Sequence, residues 1–94
     1  MAYRVQVART AARQLTERLP AAAAGACVEF LYGPLAADPH RVGAPLRKPF
    51  EGQWRARRGE YRVRYAIDDK SDTITVVDIS PESKGPAYVP RTGW

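Results

Sequence analysis

The sequence holds one cysteine, one histidine and one methionine in 94 residues, and no purely apolar run longer than Ala21–Ala24. A single cysteine, Cys27, excludes an internal disulfide framework and suits a reducing cytosol. One histidine, His40, has no second histidine or cysteine pair with which to build a zinc site, and no Ser-His-Asp set is in sight. The short apolar runs exclude a membrane-spanning helix, and polar residues interrupt Met-Ala-Tyr-Arg-Val before a signal peptide could form. No internal repeat or low-complexity block is visible. With 45% hydrophobic and 10% aromatic residues, the composition is globular, and one domain over residues 1–94 is expected. A chain of this size hides roughly two-thirds of its unfolded surface, which leaves its stability modest.

Acidic residues are scarce where basic ones are dense. The net charge is +5, yet residues 1–40 hold four basic and three acidic side chains, and residues 65–94 hold three basic and five acidic. Residues 41–64 hold eight basic side chains against Glu51 and Glu60, giving +6 in one quarter of the chain. Clustering of this kind marks an anion-binding surface, for which nucleic acid is the commonest large partner.

Alternation in Tyr3-Arg4-Val5-Gln6-Val7 predicts a strand over residues 3–8. Thr10 fits the N-cap of a helix in which Ala11, Leu15 and Leu19 recur every four residues. Pro20 ends that helix and fits the first turn of the next, giving a helical hairpin with almost no loop. Ala23, Ala26, Cys27, Phe30 and Leu31 form one apolar stripe, so Cys27 is expected to be a buried packing residue. Gly33-Pro34 is expected to break or kink this helix, and residues 38–52, with three prolines and two glycines, to form a long connection carrying His40. Three meander strands follow: Trp54–Arg58, Tyr61–Asp68 and Thr73–Ile79, the last closed by Pro81. This order predicts an α+β fold: an N-terminal strand, a two-helix hairpin and a three-stranded antiparallel meander, making a four-stranded sheet with the helices on one face.

The hairpin register can be derived. Gly59-Glu60, with glycine first, is the signature of a two-residue type II′ turn, which pairs 58 with 61, 57 with 62, 56 with 63, 55 with 64 and 54 with 65. Trp54, Ala56, Val63 and Tyr65 then share the face that packs on the helices. The other face sets Arg57 opposite Arg62 and Arg55 opposite Arg64, while Arg58 stands beside the turn at the edge. Like charges directly opposite cost on the order of 0.2–1 kcal/mol per pair. A local rule broken twice side by side is the mark of a functional surface, here one awaiting a polyanion; pairing with Glu51 or Asp78 is the structural alternative.

The run Asp38-Pro39-His40-Arg41-Val42-Gly43, then Pro45-Leu46-Arg47 and Gly52 to Asp68, resembles the RelE/ParE superfamily of bacterial toxins. With the helical hairpin and the last strand, the similarity covers about Tyr3 to Tyr88. The resemblance implies a first strand parallel to the last and a basic concave sheet face that meets RNA. It further implies the toxin of a type II toxin–antitoxin pair, cutting messenger RNA in the ribosomal A site without metal or other cofactor, by attack of the 2′-hydroxyl on the adjacent phosphate. Carried over by position, the catalytic set is Arg55, Arg57, Arg62, Lys84 and Tyr88, with Arg47, Lys48 and Arg64 as further RNA contacts. Ser83 stands where histidine is often found, and Ala44 stands where one branch of the family carries a glutamate. Arginine stays protonated above about pH 12, so Arg57 is a poor general base, and proton transfer falls to Lys84, Tyr88 or the ribosome.

The implied partners are a cognate antitoxin, the 70S ribosome with its message, and operator DNA only through the antitoxin complex, all in the cytoplasm. The same fold serves a second activity, that of a ParE-like inhibitor of DNA gyrase without nuclease chemistry. A third reading is a degenerate member that only binds its partner and DNA.

Overall fold

The computed structural model describes residues 2–81. Its first strand, β1 (Arg4–Val7), runs almost directly into helix α1 (Arg9–Arg13). Thr10 does not cap that helix. The N-cap is Ala8, whose N–H donates to the Val76 carbonyl at 2.8 Å and so completes the pairing of β1, leaving no room for a threonine-led entry. α1 continues as a π-helical turn, Gln14–Arg18, in which the Thr16 hydroxyl donates to the Ala12 carbonyl at 3.1 Å. Leu19 leaves the helix with extended backbone, and Pro20 is the N-cap of α2 (Ala21–Phe30) rather than part of its first turn.

The expected apolar stripe faces inward: Cys27 is 1% exposed, Phe30, Leu31 and Leu35 are buried, and burial pushes the Cys27 thiol pKa up. Gly33-Pro34 does not end the helical path. The chain passes through it as a π-helical turn, Leu31–Leu35, whose wider winding relieves the clash of a proline ring with the carbonyl four residues earlier. No helix among the described residues is long and apolar enough to cross a membrane.

The stretch expected to be a plain connection holds two short elements. Pro39 occupies the first position of helix α3 (Pro39–Val42), where its fixed φ suits the helix and its missing N–H has no partner to lose. Ala44–Pro45 forms strand β2, antiparallel to β3 (Gln53–Arg58), with Ala44 opposite Arg55 and Pro45 opposite Trp54. Among the described residues the sheet therefore has five strands, one more than predicted. A proline-containing pair of residues is too short to show alternation, and an edge is the place where a strand tolerates proline.

Strands β4 (Tyr61–Asp68) and β5 (Thr73–Pro81) complete the order β1-β5-β4-β3-β2, with β1 parallel to β5 and the other pairs antiparallel. Residues 53–58 pair with 61–66 in the derived register, and Gly59 takes φ +63°, the left-handed conformation that the first position of a II′ turn requires. In the next turn the Asp68 side chain accepts from the Lys70 and Ser71 amides at 3.0 and 3.4 Å. A bulge between Arg64 and Tyr65 leaves Val77 on β5 without an opposite residue.

Val63, Tyr65, Ile74, Val76 and Ile79 point from the sheet into the layer of Ala11, Cys27, Leu31 and Leu35, with Trp54 half-buried at the margin. Each buried aliphatic side chain contributes about 1.5–3 kcal/mol. Tyr65 is the largest fully buried side chain among the described residues, its hydroxyl donates to the Pro39 carbonyl at 2.7 Å, and burial pushes its pKa up to about 12. Gly43 lies against this tyrosine with ordinary extended backbone, so its glycine is a matter of space: a Cβ there would meet the Tyr65 hydroxyl and stand 2.6 Å from the Arg55 carbonyl oxygen. Gly43→Ala is accordingly expected to lower the unfolding free energy by about 1–3 kcal/mol, seen as a lower urea midpoint with an unchanged slope; an unchanged midpoint would show that the Gly43 backbone yields freely.

Candidate nucleic-acid interface

The face of β3 and β4 turned away from the core carries the arginines. Arg55 stands opposite Arg64 and Arg57 opposite Arg62, as derived, with the β3 pair exposed and the β4 pair half-buried. The ion pairs among the described residues, Arg13–Glu17 at 3.7 Å and His40–Asp69 at 3.1 Å, involve none of the four. Asp78, the neighbour opposite Arg64 on β5, is engaged elsewhere: it accepts from Gln14 Nε2 at 2.9 Å and from the Ser80 hydroxyl at 3.1 Å. Arg64 lies over the Phe50 ring, 5.1 Å from its centre, in cation–π geometry. None of the four is therefore held in a salt bridge among the described residues, although Asp78 lines a common hollow with Arg55, Arg62 and Arg64.

Two hollows share this face. The first, about 270 Å³, is walled by Arg55, Arg57 and Arg62 against the backbone at Gly43 and Ala44. It opens where β3 runs on past the end of β2, so its floor at Ala56 belongs to an edge without a strand beside it among the described residues. The second, about 250 Å³, has Arg55 and Arg62 in common with the first, and adds Arg64, Phe50, Asp78 and Ser80. One arginine pair thus borders both.

Of the residues singled out from the sequence, Arg55, Arg57, Arg62 and Arg64 come together. Arg47 and Lys48 are exposed on the loop between β2 and β3, the same loop that lends Leu46 and Phe50 to the second hollow. Lys84, Tyr88 and Ser83 lie outside the described residues. Arg58 pairs with Tyr61 beside the turn and lines a separate hollow with Ala26 and Cys27. Phe50, Gln14 and Ser80 were missed. An aromatic inside a basic loop is the signal that could have marked Phe50, whereas nothing in the sequence places Gln14 beside β5.

His40 belongs to a different neighbourhood. Its Nε2 lies 3.1 Å from both Asp69 oxygens, its ring stands edge-on to Trp54 at 5.1 Å, and the Tyr3 hydroxyl donates to the same carboxylate at 2.6 Å. Trp54 is on the helix-facing side, so His40 is not beside the arginine clamp. The hydrogen bonds from Tyr3 and then His40 hold the Asp69 carboxyl below its usual range, while the bond to Asp69 pushes Tyr3 up to about 12.

Residues 5–85 match the family described as the ParE toxin of type II toxin–antitoxin systems. Over 81 residues the chain is 52% identical to a Mycobacterium tuberculosis protein named toxin RelE, covering 86% of this chain and 82% of that one. It is 43% identical over 79 residues to toxin RelG of the same organism, covering 84% of this chain and 90% of that one. The crystal structure of the RelBE2 toxin–antitoxin complex from M. tuberculosis has a chain similar in fold, with a TM-score of 0.83 and 41% identity over 86% of this chain and 99% of that one. This chain belongs to the RelE/ParE superfamily of type II toxins.

Two expectations follow from the site. Because Arg57 repels Arg62, Arg57→Thr should raise the unfolding free energy by about 0.2–1 kcal/mol at low ionic strength, with the gain shrinking in molar salt; a loss of stability at low salt would mean that the arginine is held by a favourable contact. The depressed Asp69 carboxyl stabilises the fold above its unfolded pKa of about 3.9, and that contribution fades as pH falls through the lower folded value. Thermal unfolding should separate the protein from Asp69→Asn at about pH 7 and show the two converging at about pH 2.

Proposed function

We propose that the chain is a ribosome-dependent endoribonuclease that cuts messenger RNA without metal, the toxin partner of a cognate antitoxin. The observation that carries this reading is the convergence of Arg55, Arg57 and Arg62 on one hollow with no carboxylate in its lining. Three permanent cations around a space of that kind suit a phosphodiester, whose charge grows as the 2′-hydroxyl attacks phosphorus and the bond to the 5′-oxygen breaks. Guanidinium groups supply forked donors to the non-bridging oxygens and stay charged throughout. They cannot take the 2′-proton or return one to the leaving oxygen. Those transfers are assigned to Lys84 and Tyr88, which lie outside the described residues, or to groups of the ribosome.

Arg64, Arg47 and Lys48 extend the positive surface along the message. The antitoxin is expected to present an acidic amphipathic segment to the same face and to carry any contact with operator DNA. The relatives named RelE and RelG favour the nuclease; the ParE family description keeps gyrase inhibition as the competing activity. Adding purified protein to translating ribosomes and mapping the 5′ ends of the message decides between them. Codon-phased cuts in the A site are expected, while an intact message together with gyrase-dependent DNA breaks would overturn the reading. Arg62→Ala should abolish growth inhibition and leave antitoxin binding measurable.

A further inference from the structure

The two hollows on the arginine face differ in one respect that bears on what each can hold. The first is lined by three arginines and small or aliphatic residues with no carboxylate and no ring, whereas the second has a carboxylate, Asp78, and an aromatic ring, Phe50. A carboxylate repels phosphate but accepts readily from N–H groups. Phe50 is 43% exposed on the β2–β3 loop, an unusual place for a large apolar side chain in a basic segment. The ring is not idle there, since the Arg64 guanidinium lies over it, and Arg64 Nε is buried without a hydrogen-bond partner among the described residues. Arg64 thus faces a ring rather than the acid opposite it in register, and Asp78 is held in place by Gln14 and Ser80. A flat cation on a flat ring, bordered by a fixed acceptor, is a setting for a planar heterocycle carrying N–H donors.

We propose that the second hollow is a nucleobase pocket, in which Phe50 and Arg64 form the stacking platform and Asp78 reads an exocyclic amino group. This rests on the RNA-cleaving reading, and it divides the labour between the hollows: phosphate in the first, the adjoining base in the second, with Arg55 and Arg62 bordering both. Stacking on an aromatic ring tolerates any base. The carboxylate does not, because cytosine and adenine offer an amino group to it while uracil sets carbonyl oxygens on both sides of its single N–H. The pocket should therefore favour cytosine and adenine over uracil.

The test uses the full chain freed of antitoxin and short 2′-O-methyl oligoribonucleotides, which cannot be cleaved, so that binding is read apart from catalysis. By fluorescence anisotropy, oligocytidine should bind about 5- to 150-fold more tightly than the same backbone without bases, the range that 1–3 kcal/mol per stacked base represents. Phe50→Ala should bring the two to equal affinity, and Phe50→Trp should keep the difference. Asp78→Asn should tighten the binding of every strand, the abasic one included, because a charge that repels phosphate is lost, and should reduce the ratio of oligocytidine to oligouridine affinity. Equal binding of base-bearing and abasic strands by the native protein, or an unchanged ratio in Phe50→Ala, would overturn the proposal, as would a Phe50→Ala variant that loses antitoxin affinity with its base ratio intact. Failure of the nuclease reading is distinguishable, since it shows as intact message on ribosomes whatever the oligonucleotide ratio.

Discussion

The register of the β3–β4 hairpin is the constraint on which the rest depends. It is set by two residues, and Gly59 at φ +63° is the one that makes the turn fit the right-handed twist of the strands. Side chains alternate with period two, so a slip of one residue would turn the slipped strand's arginines toward the helices, Arg55 and Arg57 with Ala56 exposed, or Arg62 and Arg64 with Val63 and Tyr65 exposed. Burying even one unpaired guanidinium costs more than the like-charge repulsion on the open face, which is why the core fixes the arginines where they are. The core imposes the charge pattern; the charges do not help the core.

No salt bridge among the described residues relieves that repulsion, and the acid opposite Arg64, Asp78, is held by hydrogen bonds to other groups. β1 is only four residues long and pairs with β5 no further than Val76. Past that point the outer edge of β5 needs other partners, and Gln14 supplies one from the helical layer: its Oε1 accepts from the Ile79 amide at 2.6 Å while its Nε2 donates to Asp78. The same amide that satisfies the sheet edge also fixes the position of the Asp78 carboxylate. The π-helical winding begins at Gln14 itself, so the departure from α geometry occurs at the residue that makes this contact.

Much of this was legible in the sequence, and the line between legible and hidden follows range along the chain. The hairpin register, the two arginine pairs and the buried role of Cys27 depend on neighbours a few residues apart, and alternation plus turn chemistry suffices for them. The N-cap at Ala8, the strand at Ala44–Pro45 and the helix at Pro39 were not, because each is decided by pairing or packing against distant residues: Val76, Arg55 with Trp54, and Tyr65. His40 illustrates the limit. It is the sole histidine of the sequence, yet its partner Asp69 stands 29 residues after it and Tyr3 lies near the start of the chain, and the folded sheet brings them together.

Tyr65 joins these levels. Its ring fills the core from β4, its hydroxyl holds Pro39 at the start of α3, and the lack of a side chain at Gly43 lets the following residues turn into β2 beside Arg55. The backbone wall of the first hollow is therefore set from beneath the sheet by a residue that cannot touch a ligand in it. The proposed phosphate clamp needs its charges at fixed spacing, since an electrostatic clamp loses its advantage once its dipoles and cations must reorganise. Packing through Tyr65 and Gly43 supplies that rigidity on one side, and the Phe50–Arg64 contact supplies it on the other. The residues most remote from the proposed chemistry are in this sense the ones that make an arginine-only clamp workable.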